Sequence, residues 1–227
     1  MTDRNKTDIE IFWGSGSPFA WRVLMTAELK GIPYRSRQLQ FSENEHKAPA
    51  YLALNPRGEV PTLRDGEFVL TESLAIMAYL DAKVAQPPLF GRSPEETGLI
   101  WRSICAFVYH VEPLSLRIVH AVFEGQVDDS ADGIRAAATG LHAEFAWIEA
   151  ALEKQRWLAG DDLSAADVLA HADVEFFLRI AVRDVLKPLD LGFDDIASRY
   201  PALSVWRERT THMTGYEKAY PPHWRQA

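Results

Sequence analysis

A chain of 227 residues, 47% hydrophobic and 25% charged, has an ordinary globular composition with room for one large domain or two small ones, which excludes intrinsic disorder and a collagen-like repeat. Its 24 Lys and Arg face 32 Asp and Glu, and the resulting net charge of −8 works against a phosphate backbone as partner, so no nucleic acid is expected. The single cysteine, Cys105, closes no internal disulfide and builds no four-ligand zinc site; Met1 to Asp8 is polar, and no apolar run approaches the ~20 residues of a membrane helix, so the expectation is a cytoplasmic protein with no membrane partner.

Polar and apolar residues alternate from Asp8 to Trp13, which predicts a first strand. Gly14-Ser15-Gly16-Ser17-Pro18 breaks it and leads into a helix from Phe19 to Lys30, ended by Gly31-Ile32-Pro33. Tyr34 to Leu39 alternates again, and Ala48 to Leu54 reads as a short helix closed by Asn55-Pro56-Arg57-Gly58. This β-α-β-α order implies a parallel crossover. Val60 to Leu63 and Phe68 to Leu70 flank Asp65-Gly66, a dipeptide suited to a tight hairpin turn, so two antiparallel strands follow, and then a third helix from Glu72 to about Ala85. Prolines at 87, 88 and 94 mark a linker over residues 86–94. From Glu95 helical spacing dominates, with one stripe of Ile100, Ile104, Phe107, Val108 and Val111 and another of Leu141, Phe145, Ile148 and Leu152. Pro113 should kink or interrupt the first of these helices. Ser164 and Asp167, three residues apart, form a capping box ahead of the stripe Leu169, Ala172, Phe176, Phe177 and Ile180, and Tyr220 to Ala227 reads as an irregular tail. The expected domains are residues 1–85 and 95–227.

Three groups of residues sit where chemistry is possible. Ser17 lies at a helix start, where backbone N–H groups and the helix dipole favour an anion; the same serine ahead of Pro18 is also an ordinary N-cap. Pro61 enters a strand, where it is either cis or an edge residue. Glu72 and Ser73 place a carboxylate and a hydroxyl where a strand turns into a helix, again an arrangement that capping alone would explain. Cys105 falls on an apolar stripe and reads as a packed core residue. The seven histidines show no ligand spacing, so no metal is expected.

Taken together, in this order and spacing, Ser17, the run Asn55-Pro56-Arg57-Gly58-Glu59-Val60-Pro61-Thr62-Leu63, the pair Glu72-Ser73 and the segment Gly160 to Asp167 resemble the glutathione S-transferase superfamily over essentially the whole chain. The resemblance implies a thioredoxin-like α/β N-terminal domain and an all-α C-terminal domain. It implies glutathione as co-substrate, with Ser17 as the catalytic residue and Pro61 as a cis-proline. The backbone of Val60 would meet the cysteinyl part of glutathione, Glu72 and Ser73 the γ-glutamyl end, and His46 or Lys47 the glycyl carboxylate. Phe19, Arg117, His120 and Phe123 fall where family members build the pocket for a small apolar electrophile, the last three being equally suited to a domain interface. Trp21-Arg22-Val23 resembles the zeta class, although Phe19 stands where zeta members carry cysteine. Ser17-Pro18-Phe19-Ala20 is similar to the omega-like Cys-Pro-Phe/Tyr turn with serine in place of the cysteine. The resemblance implies a homodimer and a glutathione transferase; a glutathione-dependent isomerase or dehalogenase, and a non-catalytic binding protein of the same fold, are the alternatives.

Overall fold

The computed structural model of the chain describes residues 8–225. Residues 1–7 of the polar start and residues 226 and 227 of the expected tail lie outside them. The alternating first segment forms β1 (Ile9–Trp13), Pro18 at the first helical position starts α1 (Pro18–Leu29), and the next alternating run forms β2 (Arg35–Gln38). Two 3₁₀ turns, Phe41–Glu43 and Glu45–Lys47, lead to a short α2 (Pro49–Leu52), then β3 (Thr62–Asp65), β4 (Phe68–Leu70) and α3 (Ser73–Lys83). The sheet order is β2-β1-β3-β4; β1 and β2 run parallel across α1, while β3 is antiparallel to both of its neighbours.

Strand alternation puts Ile9, Ile11 and Trp13 on one face of β1 and Glu10 and Phe12 on the other. A buried glutamate needs partners, and Glu10 has two: Arg37 on β2 at 2.6 Å and Arg64 on β3. Burial pushes its carboxyl up, but the two guanidiniums outweigh burial and hold it below the ordinary carboxylate range. One carboxylate thus ties the three neighbouring strands β2, β1 and β3 together.

The chain divides into two units, one running to Leu89 and resuming at His212, the other spanning Phe90–Thr211. The second unit is all helical: α4 (Pro94–Ala106), α5 (Glu112–Phe123), α6 (Ala131–Leu152), α7 (Ala165–Ala181), α8 (Ile196–Arg199) and α9 (Pro201–Thr211). Its core is built by the stripes read from the sequence, with Ile104, Phe107, Leu141, Phe145, Leu169 and Phe177 buried; Cys105 is only half-buried. Ahead of Pro113 the α-helix is interrupted, α4 ending at Ala106 and α5 starting at Glu112. The five residues before its turn, Phe107–Val111, widen into a π-helical segment, which relieves the clash between a proline ring and the carbonyl one turn back. Among the described residues no helix is long and apolar enough to cross a membrane.

The end of the chain departs from expectation. Instead of extending the helical domain, residues 212–225 belong to the first unit, where α10 (Tyr216–Ala219) packs on α1 and Pro222–Arg225 forms a 3₁₀ turn. The reason lies in Trp21. Its ring is buried at 5.8, 5.6 and 5.2 Å from those of Tyr216, Tyr220 and Trp224, an aromatic cluster whose members are 195 or more residues away in sequence on one side only of the pairing, so no local pattern announces it.

In α7 the capping box forms as read: Asp167 accepts from Ser164 N at 3.0 Å, and its other oxygen takes Leu158 N and Trp206 Nε1 at 2.8 and 2.9 Å. One turn on, His171 is buried beside Trp206, and burial holds its pKa down at about 4. The unfolded chain takes up that proton near pH 6.5 and the folded chain only near 4, so folding stability should fall as pH drops across this window, by about 2 kcal/mol between pH 7 and pH 5. Urea unfolding of wild type and His171→Gln at the two pH values measures it; equal losses in both proteins would rule the assignment out.

Candidate active site

The first strand ends in a tight turn, with Ser17 N donating to Gly14 O at 3.2 Å and Gly16 at φ +88°. Ser17 is the N-cap of α1: its Oγ accepts from Ala20 N at 3.2 Å. That bond uses a lone pair and leaves the hydroxyl proton available to donate. The other first-turn donors are largely spoken for, because Pro18 has no N–H and Trp21 N bonds Ser17 O at 2.9 Å, which leaves the N–H of Phe19 beside the hydroxyl. Capping and donation to an anion are therefore compatible at this residue.

The Val60–Pro61 peptide is cis, the first of the two alternatives read from the sequence. The segment before it is held from several sides. Tyr51 Oη donates to Glu59 O and lies 2.8 Å from Thr62 Oγ1, Asn55 Nδ2 donates to Glu59 O at 2.7 Å, and Lys47 Nζ donates to the carbonyls of Arg57 and Gly58 at 3.2 and 2.9 Å. Gly58, at φ +62°, has no space for a side chain, since a Cβ would sit 2.8 Å from His46 O. The backbone of Val60 is presented by this bracing. Asn55 opens the Asn-Pro run read from the sequence, whereas Tyr51 carries no signal of its own there.

At the third helix the two neighbouring residues differ sharply. Ser73 is buried and its Oγ accepts from Arg22 Nε at 2.9 Å, while the Arg22 guanidinium lies 4.7 Å from the centre of the Phe19 ring. Glu72 is exposed, lies 3.5 Å from Arg57 Nη1, and makes no side-chain cap bond. Its backbone is at φ +65° and ψ 109°, a conformation that costs a glutamate about 1–3 kcal/mol. Simple capping would not require that strain. Arg22 appears in the sequence reading only as part of the Trp-Arg-Val stretch; its role in holding Ser73 comes from the α1–α3 packing.

His46 packs edge-on against Phe41 at 5.1 Å, with Nδ1 buried and without a hydrogen-bond partner. A cavity of about 350 Å³ opens beside the Ser17 turn, lined by Ser15, Gln38, Leu39, Phe41 and His223 among others. In the helical unit, Arg117 and His120 do share a cavity, of about 410 Å³, but its other walls include Glu124, Asp129 and Ser130. Phe123 is outside it, 59% exposed, stacked on Phe176 at 6.4 Å and under the Arg183 guanidinium at 5.2 Å. Arg117 and His120 thus share one cavity, and it is charged, while Phe123 lies outside it. Among the described residues no group of three or more His, Cys, Asp or Glu side chains converges as metal ligands would.

A four-stranded mixed sheet with a serine at its first strand-helix turn and a cis-proline before β3, followed by a helical unit, defines the two-domain thioredoxin-like class. The profile of the glutathione S-transferase N-terminal domain matches residues 16–83, and that of the C-terminal domain residues 110–213. Glutathione S-transferase F9 of Arabidopsis thaliana is 34% identical over 199 residues, covering 82% of this chain and 89% of its own. Glutathione S-transferase A of Pleuronectes platessa is 27% identical over 224 residues, covering 96% and 93%. A glutathione S-transferase from the Antarctic clam Laternula elliptica superimposes with a TM-score of 0.83 at 26% identity, covering 97% and 95%. The chain belongs to the glutathione S-transferase family.

The strained residue offers a direct check. Glycine relieves a positive φ but is more costly to order, by about 0.5–1 kcal/mol, so Glu72→Gly should leave stability unchanged or raise it by up to about 2 kcal/mol. Thermal unfolding reads this out, and a loss greater than about 1 kcal/mol would mean that the Arg57 pair and the helix start outweigh the backbone strain.

Proposed function

We propose that this glutathione transferase activates the thiol of glutathione through Ser17 and directs the thiolate at a small apolar electrophile. The observation that carries the reading is the Ser17 hydroxyl at the start of α1, with a lone pair engaged by Ala20 N–H and its proton free to donate. Serine is no base near neutral pH, so its part is a hydrogen bond to the sulfur anion. A thiol of pKa near 8.5 is about 3% thiolate at pH 7; a fall of about two units makes roughly three-quarters of it reactive and requires about 2.7 kcal/mol. A charge-assisted hydrogen bond of about 1.5–3 kcal/mol and a helix-dipole contribution of about 0.3–1 kcal/mol together suffice, so the step calls for no metal.

The remaining assignments follow the same reading. The braced backbone of Val60 pairs with the cysteinyl part of glutathione beside cis-Pro61. The carboxylate of Glu72 and the hydroxyl of Ser73 meet the charged γ-glutamyl end, which gives the strain at Glu72 a purpose. Lys47 spends two of its N–H groups on the Arg57 and Gly58 carbonyls and keeps one for the glycyl carboxylate, with His46 next to it. The cavity walled by Phe41 suits an apolar electrophile better than the charged one at Arg117 and His120, and Phe19 lies at the same strand-helix turn as Ser17. We read the setting as cytoplasmic detoxification by a homodimer, for which the exposed Phe68 on β4 and Leu99 and Trp101 on α4 supply apolar surface.

Two measurements test this. Ser17→Ala should raise the thiol midpoint of bound glutathione by about one to two units and lower turnover at neutral pH roughly 10- to 100-fold, with affinity nearly unchanged. Superimposable titrations of thiolate absorbance for wild type and variant would reject the role of Ser17. Light scattering at micromolar concentration should give twice the mass of one chain, and the mass of a single chain would reject the dimer.

A further inference from the structure

The turn that carries Ser17 contains two glycines in three residues, Gly14-Ser15-Gly16, and glycine has the most conformational freedom to lose on ordering. A hydroxyl that must be aimed at a sulfur anion within about half an ångström sits poorly on such a turn unless something else holds it. The structure shows what does. Phe41 lies against Gly14 so closely that a Cβ there would overlap its ring. On the far side of the turn, the ring of His223 covers Gly16, where a Cβ would come within 2.7 Å of Cε1 and 3.1 Å of Nε2. Between the two glycines, the one side chain available, Ser15, has its Oγ 2.6 Å from His223 Nδ1. The glycines admit two rings, and the rings and the Ser15 bond take away the freedom that the glycines bring.

His223 reaches this position because the C-terminal segment is fastened along α1. Trp21 is surrounded by Tyr216, Tyr220 and Trp224, and Lys218 pairs with Glu28 at 2.8 Å, with Tyr34 Oη on the same carboxylate at 2.9 Å. Gly215 turns the chain at φ +78° where a side chain would collide with Glu28. These contacts lie at successive levels along one helix and end at its N-terminus, where Ser17 is.

We propose that His223 is a positioning residue for thiol activation: through Ser15 it fixes the Gly14–Ser17 turn and so aims the Ser17 hydroxyl. The inference rests on the role given to Ser17 above. It assigns no contact between His223 and glutathione; the imidazole acts through the turn.

The test titrates the thiol of bound glutathione by its absorbance, with turnover and glutathione affinity measured alongside, in wild type, Ser17→Ala, Ser15→Ala, His223→Leu, the Ser15→Ala/His223→Leu double variant and His223→Asn, whose amide can stand where Nδ1 stood. Ser15→Ala and His223→Leu should each lower the acid dissociation constant of the bound thiol at least threefold and turnover at neutral pH three- to tenfold, with glutathione affinity within twofold. The double variant should be no worse than either single one, and His223→Asn should restore most of the effect. A role confined to stability would lower the unfolding temperature and leave the thiol titration in place. If Ser17→Ala shifts the titration and His223→Leu does not, or if the two single effects add in the double variant, His223 is not a positioning residue and the Ser17 reading stands. If Ser17→Ala itself leaves the titration unmoved, both readings fall.

Discussion

The site depends on the burial of one helix on all sides. In α1, Pro18 and every residue from Ala20 to Ala27 are buried, so this is not a surface helix with one apolar stripe but the axis of its unit. Three of its positions each govern a different part of the site: Ser17 caps its start, Trp21 collects the aromatic residues of the C-terminal segment, and Arg22 reaches α3 to hold Ser73. Fully burying a large apolar side chain is worth about 1.5–3 kcal/mol, and Trp21, Val23, Leu24 and Met25 all contribute. The orientation of Ser17 relative to Ser73 is thereby referred to a single well-packed element.

Buried charge does the joining that apolar contact cannot do with direction. Glu10 is held between Arg37 and Arg64 on flanking strands. Lys30, at the end of α1, is buried with Asp81 of α3 at 2.6 Å and also donates to Pro87 O, while Asp81 accepts from Leu89 N at 2.9 Å. Arg22 sits in the same unit with Ser73. Such groups add little net energy over well-packed apolar ones, but where the pair is buried, as at Lys30–Asp81, removing one partner strands the other at a cost of about 3–5 kcal/mol, so it acts as a register mark between elements. The exposed pair Lys187–Asp184 carries no comparable weight.

The segments around cis-Pro61 and the start of α3 combine precise bracing with one strained point. Tyr51, Asn55 and Lys47 converge on the carbonyls of residues 57 to 59 and leave the backbone of Val60 presented at the cis-proline. Burial keeps the Tyr51 phenol protonated well into the alkaline range, as a donor to Glu59 O must be. Against that bracing, Glu72 holds a positive φ without a cap bond, and the helix behind it, starting at buried Ser73, keeps it there. Such strain costs stability, and under the proposed function it is accounted for by the binding of the γ-glutamyl end.

By itself the sequence determined most of the elements that depend on residues close together along the chain. Alternation gave β1, Asp65-Gly66 the hairpin, Ser17-Pro18 the start of α1, and Ser164 with Asp167 the capping box, because strands, turns and caps are settled within a few residues. Ser17, Pro61, Glu72 and Ser73 were grouped instead by the motif order that carries the family resemblance. What only the tertiary structure decided involves long separations or the absence of a periodic signal: the return of residues 212–225 to α1, the Ser15–His223 contact across 208 positions, the division of Arg117 and His120 from Phe123, and the π-helical relief ahead of Pro113. An aromatic tail of Tyr, Tyr and Trp carries no local instruction about where to pack. Its destination is the buried Trp21 indole, whose position is set by the packing of α1 in the first unit.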